Sequence, residues 1–124
     1  MIDMNYSSES PAGEFREKLL KGMLDTITLK LIAENPTHGY HIITAIRKHY
    51  QIYFGASTIY PLLCNLEKKG YIKSQWNMNG KKPCKIYVIT EKGKTMLKYS
   101  RIELETFVKP LIQDSRIPLQ KVTV

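Results

Sequence analysis

The chain has 124 residues, 43% of them hydrophobic, which is enough to bury one core of ordinary size but hardly two. It carries 19 Lys and Arg against 11 Asp and Glu, so its formal net charge at pH 7 is +8. No apolar stretch is long enough to cross a bilayer, and the two cysteines form no Cys-x-x-Cys pair, which excludes a membrane span and a disulfide scaffold. We expect one soluble, cytoplasmic domain with free thiols and flexible ends.

The first segments are predicted to be an arm and a helix. Residues 1–13 are rich in Ser, Asn, Pro and Gly without periodicity, which predicts a flexible N-terminal arm. From Phe15 to Glu34 apolar residues recur at helical spacing, and Asn35-Pro36 ends the pattern because the residue before a proline disfavours helix. The stripe that we expect to be buried consists of Leu20, Leu24, Ile27 and Leu31, with Leu19 and Met23 beside it.

A second helix is predicted from Gly39 to His49, with Thr37 as its cap. Its apolar and polar residues separate onto two arcs, as in a helix with one buried face. The arc that we expect to be buried consists of Tyr40, Ile42, Ile43, Ile46 and Tyr50. Residues 51–56 then form a linker of loop length.

The third predicted helix runs from Ser57 to Lys69 and is polar on one side. Ser57 or Thr58 caps it, Pro61 is compatible only with its first turn, and Gly70 ends it. Its apolar residues follow the i, i+3, i+4, i+7 spacing of one buried face. They are Ile59, Leu62, Leu63 and Leu66. The side that we expect to look outward carries Ser57, Pro61, Cys64, Asn65 and Lys68.

A hairpin is predicted next. Residues 71–77 alternate in character and residues 85–89 are rich in aromatic and β-branched residues, so we expect two paired strands. The segment between them contains the turn signal Asn79-Gly80 and is too long for a two-residue turn. The sequence therefore predicts a loop tipped by Lys81 and Lys82.

The last predicted helix is capped by Thr90 and carries a leucine repeat. Leu97, Leu104 and Leu111 recur every seven residues, and Pro110 should kink or end the helix near Lys109. This seam is either ordinary core or a dimer interface, and we favour the interface because the domain has already closed its core. The residues expected at the interface are Leu97, Leu104, Phe107, Val108 and Leu111.

In chain order these elements are helix, helix, helix, strand, loop, strand, helix, which is the order of a winged helix-turn-helix. The predicted fold class is mainly α with a small β-hairpin (α+β). Residues 14–90 would form a DNA-binding domain, residues 91–115 a C-terminal dimerisation helix and residues 116–124 a tail.

Most of the positive excess lies in and around the hairpin. Residues 67–94 hold eight lysines and two glutamates, which gives a local net charge of +6. Such a field is the footprint of a phosphate-binding surface, although a solvated basic face without a partner has the same composition. We favour double-stranded DNA as the partner, because a small polar helix beside a basic loop suits a DNA groove.

Several short motifs carry a family resemblance, in order and at the family's spacing, over roughly residues 18–97. They are Leu19-Leu20-Lys21-Gly22, Pro36-Thr37-His38-Gly39-Tyr40, Ser57-Thr58-Ile59-Tyr60-Pro61-Leu62-Leu63, Leu66-Glu67, Gly70-Tyr71-Ile72 and Thr90-Glu91-Lys92-Gly93. Together they resemble the PadR family of transcriptional regulators in its short form with one C-terminal helix. The resemblance implies a homodimer, joined mainly through the C-terminal helix with help from the first, that binds a near-palindromic operator and usually represses.

The chain departs from the family pattern at two places. Family members often carry arginines where this chain has Cys64 and Asn65, so its outward helix face is less charged. A subset of the family binds flat aromatic compounds at the dimer centre, whereas the single tryptophan here, Trp76, lies on the first predicted strand. The resemblance therefore implies that a small aromatic effector is possible for this chain, but the residues do not identify a site for it.

The predicted contacts with DNA divide into base reading and phosphate binding. Asn65 is assigned to direct reading because its amide can bond adenine at two points, and the methyl group of Thr58 suits a thymine methyl. Tyr60 either packs its ring and reaches a phosphate with its hydroxyl or is a half-buried core residue. The residues expected in the major groove are Ser57, Thr58, Tyr60, Pro61, Asn65 and Lys68. Those expected on phosphates or in the adjacent minor groove are Lys48, Lys81, Lys82 and Lys85.

Other functions fit parts of the sequence. An abundant architectural DNA-coating protein would use the same lysines with little specificity, and a winged helix that binds only proteins would need no basic surface. His38 and His41 with a cysteine fit no zinc signature, so we expect no metal and no cofactor. No phosphate loop, nucleophile elbow or acid–base pair occurs, so we expect no enzyme, and Cys64 is interpreted as an inert thiol rather than a redox switch.

Overall fold

Four helices and one hairpin follow one another along residues 10–113, the part of the chain that the computed structural model describes. The predicted order of elements and the α+β fold class are confirmed. The elements are α1 (Pro11–Glu34), α2 (Gly39–Tyr50), α3 (Ala56–Lys68), β1 (Ile72–Asn77), β2 (Cys84–Ile89) and α4 (Glu91–Ile112). Most of the predicted arm, residues 1–9, and the predicted tail lie outside the described residues.

Helix α1 begins at Pro11, earlier than the predicted Phe15. Ser10 caps it, since its side-chain oxygen accepts a hydrogen bond from the backbone N–H of Gly13 at 3.0 Å. Pro11 is compatible with this start because a first-turn N–H has no helical partner in any case. The helix is tied to the end of α2 by Arg16, whose guanidinium donates two hydrogen bonds, of 3.1 and 2.7 Å, to the carbonyl of Tyr50.

The predicted caps of α2 and α3 are wrong. His38 caps α2, because its Nδ1 accepts from the N–H of His41 at 3.2 Å. Thr37 instead forms a two-way backbone bridge with Tyr87, with N···O distances of 3.1 and 2.8 Å, and so adds a third short segment beside β2. Helix α3 starts at Ala56 after Gly55, without a side-chain cap, so neither Ser57 nor Thr58 has that role.

The core lies where α1, α2 and α3 meet the base of the hairpin. Its buried side chains are Leu20, Leu24, Ile27, Leu29, Ile32, Ile42, Ile43, Ile46, Phe54, Ile59, Leu63, Leu66, Ile72 and Tyr87. Leu31, Tyr50 and Leu62, which were predicted to be buried, are half-buried at its edge. Tyr40 is the clear error among the predicted core residues, since it is 66% exposed in the first turn of α2.

The two strands pair antiparallel, with Ile72 opposite Ile89 and Asn77 opposite Cys84, and a loop of residues 78–83 joins them. The predicted hairpin is thus confirmed to within one residue at each strand. Gly70 ends α3 as predicted. Its φ of +81° is the left-handed conformation that glycine adopts without steric cost, and it turns the chain directly into β1.

Helix α4 is capped by Thr90 as predicted, since the Thr90 hydroxyl oxygen accepts from the N–H of Gly93 at 3.1 Å. Pro110 was predicted to kink or end the helix near Lys109, and it does not end the helix there, because α4 continues to Ile112. A proline removes one backbone hydrogen bond and crowds the preceding turn. Here the N–H of Gln113 bonds the carbonyl of Lys109 at 3.0 Å, which closes a turn across the proline.

Candidate nucleic-acid interface

Helix α3 has three sides, and each has different neighbours. The buried side consists of Ile59, Leu63 and Leu66, which are 0, 0 and 2% exposed. The side that faces the hairpin across a groove consists of Tyr60, Cys64 and Glu67. The side that faces solvent, called the outward side below, consists of Ser57, Thr58, Pro61, Asn65 and Lys68. Because the buried side is packed into the core, the outward side is held in a fixed orientation.

The outward side is polar and carries little charge. All five of its residues are exposed, and Lys68 is its one ionised member. Its hydroxyls and the Asn65 amide are groups that read base edges, whereas a charged side would mainly hold phosphates. Cys64, which was predicted to belong to this side, instead lines the groove toward the hairpin.

Tyr60 packs its ring against the start of α2. A Cβ placed on Gly39 would lie 2.6 Å from a ring carbon of Tyr60, so a larger residue there would displace the ring from its contact with α2. Tyr60 nevertheless stays 44% exposed. Its ring is therefore positioned by packing, and a contact between its hydroxyl and a phosphate stays a prediction.

The hairpin with its loop, residues 72–89 and called the wing below, carries lysines in two different settings. Lys81 and Lys82 are exposed in the loop, and neither forms an ion pair with a carboxylate of the described residues. Lys85, on β2, is partly buried, and its Nζ lies 3.8 Å from Oε1 of Glu67 on α3. Lys48 is exposed in the last turn of α2. Of the four lysines predicted to bind phosphate, three are therefore exposed and Lys85 is partly neutralised by Glu67.

Glu67 connects α3 to both strands of the wing, and the sequence reasoning gave it no role. Its Oε2 accepts a hydrogen bond of 2.5 Å from the hydroxyl of Ser74 on β1, while its Oε1 faces Lys85 on β2. Hydrogen bonds to a charged acceptor are shorter and stronger than neutral ones. The signal in the sequence was an acid directly before Lys68 and Lys69 on a predicted DNA-binding surface, where a carboxylate needs a structural reason.

A groove of about 490 Å³ separates α3 from the wing. It is lined by His38, Gly39, Tyr40, Tyr60, Cys64, Glu67, Trp76, Pro83, Cys84, Lys85 and Tyr87. Burial, and after it the nearby Glu67, Tyr60 and Cys64, raise the pKa of Tyr87, which lies at the bottom of this groove. The groove therefore joins exposed aromatic surface to a buried phenol that stays protonated at neutral pH.

Within residues 10–113 no group of three or more His, Cys, Asp or Glu side chains is placed to hold a metal ion. The thiols of Cys64 and Cys84 are both free. His38 is engaged as the cap of α2. Among the helices of this described range, none is long and apolar enough to cross a membrane.

Comparisons with known proteins place this fold in a family. The model of the transcriptional regulator PadR-like family matches residues 28–99, which is more than half of the chain. The chain belongs to the PadR-like family. An uncharacterized protein of Lysinibacillus sphaericus is 34% identical over 87 residues, which make up 66% of this chain and 78% of that protein.

Solved structures agree with this assignment. A transcriptional regulator from Clostridium thermocellum is 31% identical, with a TM-score of 0.70 over 79% of this chain and 98% of its own. A PadR family regulator from Eggerthella lenta is 28% identical, with a TM-score of 0.73 over 83% and 93% of the two chains. A PadR-like regulator from Bacillus cereus is 31% identical, with a TM-score of 0.65 over 77% and 97%. Members of the PadR-like family are DNA-binding transcriptional regulators and are typically dimeric.

In this PadR-like chain, α4 has two differently packed halves. Met96 and Leu97 pack against the core of their own chain, so Leu97 contributes to the fold itself. Toward its C-terminal end the helix exposes apolar side chains, namely Tyr99, Ile102, Phe107, Val108, Leu111 and Ile112. An apolar cleft of about 690 Å³ between α1 and α4 is lined by Leu19, Met23, Leu104, Glu105, Val108, Lys109, Ile112 and Gln113. Leu19, Tyr99 and Ile102 belong to this exposed surface and were not assigned to an interface from the sequence.

Proposed function

We propose that the chain is a homodimeric, sequence-specific transcriptional repressor that binds a near-palindromic operator. Helix α3 of each subunit enters the major groove with its outward side toward the bases. The wing lies along the backbone or the adjacent minor groove. Such a protein acts on DNA in the cytoplasm and needs neither enzymatic activity nor a cofactor.

The observation that carries this proposal is the three-sided packing of α3. One side is buried, so the helix cannot rotate without losing core contacts, and the outward side then presents Asn65 and Ser57 in a constant direction. A recognition helix reads base edges with side chains near its start, while basic groups around it bind phosphates. We assign Ser57, Thr58, Pro61, Asn65 and Lys68 to the groove. Tyr60, Lys48, Lys81, Lys82 and Lys85 are assigned to the backbone.

The apolar surface of α4 supports the dimer. Phe107 and Leu111 are 69 and 78% exposed, and exposed apolar patches on this scale are typical of association sites. We propose that the partner's α4 covers Leu104, Phe107, Val108 and Leu111 together with the cleft against α1. We expect a two-fold axis through such an interface to bring the two α3 helices to successive turns of one DNA face.

Selection of bound fragments from genomic DNA, followed by competition against random duplex, tests the proposal. The selected fragment should bind about 1,000-fold or more tightly than random DNA. Its half-sites should lie about 10 to 10.5 base pairs apart, or a multiple of that distance. If the dimer neutralises about 6 to 8 phosphates, the logarithm of affinity should fall against the logarithm of salt concentration with a slope of roughly −5 to −7.

An architectural DNA-coating protein is the second candidate, because the free lysines lie on the wing while the outward side of α3 carries one charge. That protein would bind selected and random fragments alike.

Sedimentation of the native chain separates the dimer from a monomer. Transcription from the selected promoter, measured with and without the protein, shows whether the protein represses or activates. A monomeric chain would contradict the two-fold arrangement, and a rise in transcription would contradict repression.

A further inference from the structure

We propose that the groove between α3 and the wing binds one sugar–phosphate strand of duplex DNA, and that Trp76 and Tyr40 contact this strand. Neither residue has a role in the function proposed above. The inference rests on that function, because it requires that α3 and the wing bind the same duplex. It adds the part of the duplex that lies between them.

The shape of B-DNA determines what passes over the groove. Each sugar–phosphate strand of a duplex separates a major groove from the neighbouring minor groove. Helix α3 forms one wall of the protein groove with Tyr60, and the wing forms the other with Trp76. When α3 enters the major groove and the wing lies beside it, the strand that borders this major groove crosses the space between the two walls. The occupant is therefore a backbone strand, not a base edge.

Three aromatic side chains that line the groove are exposed and belong to three different elements. Tyr40 on α2, Tyr60 on α3 and Trp76 on β1 are 66, 44 and 62% exposed. Each combines an apolar ring with one hydrogen-bond donor, a hydroxyl or an indole N–H, and such side chains favour places that are apolar on one side and wet on the other. A DNA backbone offers both, because its sugars have apolar carbon surface and its phosphate oxygens accept hydrogen bonds.

The charges around the groove suit an anionic strand. Glu67 is the one carboxylate among the described residues that line the groove, and its two oxygens face the Ser74 hydroxyl and the Lys85 ammonium group. Its charge is therefore partly neutralised within the protein. The adjoining loop of the wing carries Lys81 and Lys82, which are both exposed. A phosphate strand over the aromatic side chains would thus lie next to a basic loop.

The proposed contacts have a signature of their own. Sugar and phosphate are the same in every nucleotide, so Trp76 and Tyr40 should strengthen binding to operator and random duplex by the same factor. Both side chains are uncharged and displace no counterions, so their loss should leave the salt dependence unchanged. This combination differs from that of Asn65, which is assigned to base reading, and from that of the wing lysines.

The fluorescence of Trp76 tests whether a strand covers the groove. Trp76 is the single tryptophan, so the native full chain needs no label of its own. The chain is saturated with the selected operator fragment, and the anisotropy of a dye on the DNA shows binding in the same sample. Acrylamide, a neutral quencher, should quench Trp76 less in the complex than in the free chain. Unchanged quenching in the complex would overturn the inference, whereas failure to bind any duplex would instead refute the proposed function.

Two variants separate the parts of the Trp76 contact. Trp76→Phe keeps a ring and removes the N–H, so it should weaken binding to operator and random duplex alike by about 2- to 10-fold. Trp76→Ala also removes the ring and should weaken both by more, about 5- to 50-fold, with an unchanged salt slope. A loss confined to the operator would assign Trp76 to base reading and overturn the backbone contact.

Neutral DNA linkages locate the contact. In operator fragments, one phosphate at a time is replaced by a methylphosphonate, which removes its charge. The native chain should lose about 2- to 10-fold in affinity at a phosphate on the border of the half-site, and Trp76→Ala should lose less there because its contact is already absent. Met78→Ala is the matched control, since Met78 is exposed on the same wing but does not line the groove, and it should keep the full loss. Equal losses for all three chains would overturn Trp76 as the contact.

Tyr40 and the kind of nucleic acid are tested in the same assay. Tyr40→Phe should weaken duplex binding by about 2- to 10-fold, whereas Tyr99→Phe, which removes the same group from an exposed residue of α4, should not. Equal affinity of these two variants would overturn the role of Tyr40. Exposed aromatic side chains also bind single strands by stacking on bases. Tighter binding of the native chain to one strand of the operator than to its duplex would overturn the backbone of a duplex as the occupant.

Discussion

Helix α3 and the wing form one candidate interface, but α3 and the outer part of the wing are held in place by different means. Helix α3 is anchored by Ile59 and Leu63, which are completely buried, whereas every residue of the wing loop 78–83 is exposed. The outer part of the wing is tied to α3 through the polar contacts of Glu67. Packed apolar side chains fix a position closely, while exposed polar contacts allow movement.

The two regions also differ in charge. The outward side of α3 has one lysine among uncharged polar residues, and the wing loop has Lys81 and Lys82 without a carboxylate in the loop. A packed, weakly charged helix is suited to discriminate bases, and an exposed basic loop is suited to hold phosphates of any sequence. The comparison therefore separates specificity, assigned to α3, from general affinity, assigned to the wing.

The largest effect is expected when the anchor of α3 is shortened. Leu63→Ala removes completely buried methyl groups and leaves a cavity, so the free energy of unfolding should fall by about 2 to 5 kcal/mol. Urea denaturation measures the change. Lys68→Ala on the exposed side of the same helix is the control and should change stability by no more than about 0.5 kcal/mol. Similar losses for the two variants would contradict the packing of α3.

Asn65→Ala should reduce discrimination between operator and random duplex. Loss of a two-point contact to one base costs about 1 to 3 kcal/mol, which corresponds to about 5- to 150-fold in the ratio of the two affinities. The salt dependence should stay unchanged because no phosphate contact is lost. Cys64→Ser, one residue earlier but on the groove side, is the matched control for competition binding. A preserved ratio in the Asn65 variant would remove this residue from base reading.

Lys82→Met should weaken binding to operator and random DNA by the same factor. Each lysine–phosphate contact that is removed should make the logarithmic salt slope shallower by roughly 0.9. Lys30→Met is the control, because this lysine lies on α1 and is paired with Glu34 at 3.5 Å. Anisotropy titrations over a range of salt concentrations measure both slopes, and identical slopes for the two variants would argue against wing contact with phosphate.

The smallest expected effect is that of Glu67→Gln, and its two consequences have opposite signs. The variant frees Lys85 from its carboxylate, so affinity for random DNA should rise by about 1.5- to 5-fold. The wing loses part of its attachment to α3, so the preference for the operator should fall. Competition binding measures both values. A parallel loss of both affinities would indicate that Glu67 serves only to maintain the fold.

Sequence periodicity predicted the elements of this fold because it reports local preferences. The end of α3 follows from Gly70, and the hairpin follows from alternation around Asn79-Gly80, whereas Pro61 lies inside α3 and not in its first turn as predicted. The order of helices and strands then limits the architecture to few choices. The winged helix-turn-helix and its family could therefore be predicted from the sequence.

The errors concern residues whose neighbours are distant in sequence. Thr37 has the composition of a helix cap, but the free edge of β2 at Tyr87 offers two backbone bonds that no local pattern reveals. Tyr40 was predicted to be buried because it shares an arc with Ile43, although its side chain lies on the side of α2 that lines the groove. The role of Glu67 could be predicted only with the knowledge that Ser74 and Lys85 lie opposite it.

The seam of α4 was predicted as one unit, and the structure divides it. Leu97 packs against the core of its own chain, whereas Leu111 is exposed and is available to a partner. A repeat of seven residues identifies one helix face but not where that face leaves the core. The division depends on how far the hairpin and α1 extend along α4, which local sequence does not specify.

Tethered cleavage of the selected operator tests the division between α3 and the wing most directly. An iron chelate that produces hydroxyl radicals is attached either to Cys64, in a Cys84→Ser background, or to a cysteine introduced by Lys82→Cys in a chain without other cysteines. Cleavage from position 64 should fall inside each half-site, and cleavage from position 82 should fall outside it, about 5 base pairs away or half a helical turn. The reverse order, with the wing inside the half-site and α3 outside, would contradict the assignment of base reading to α3.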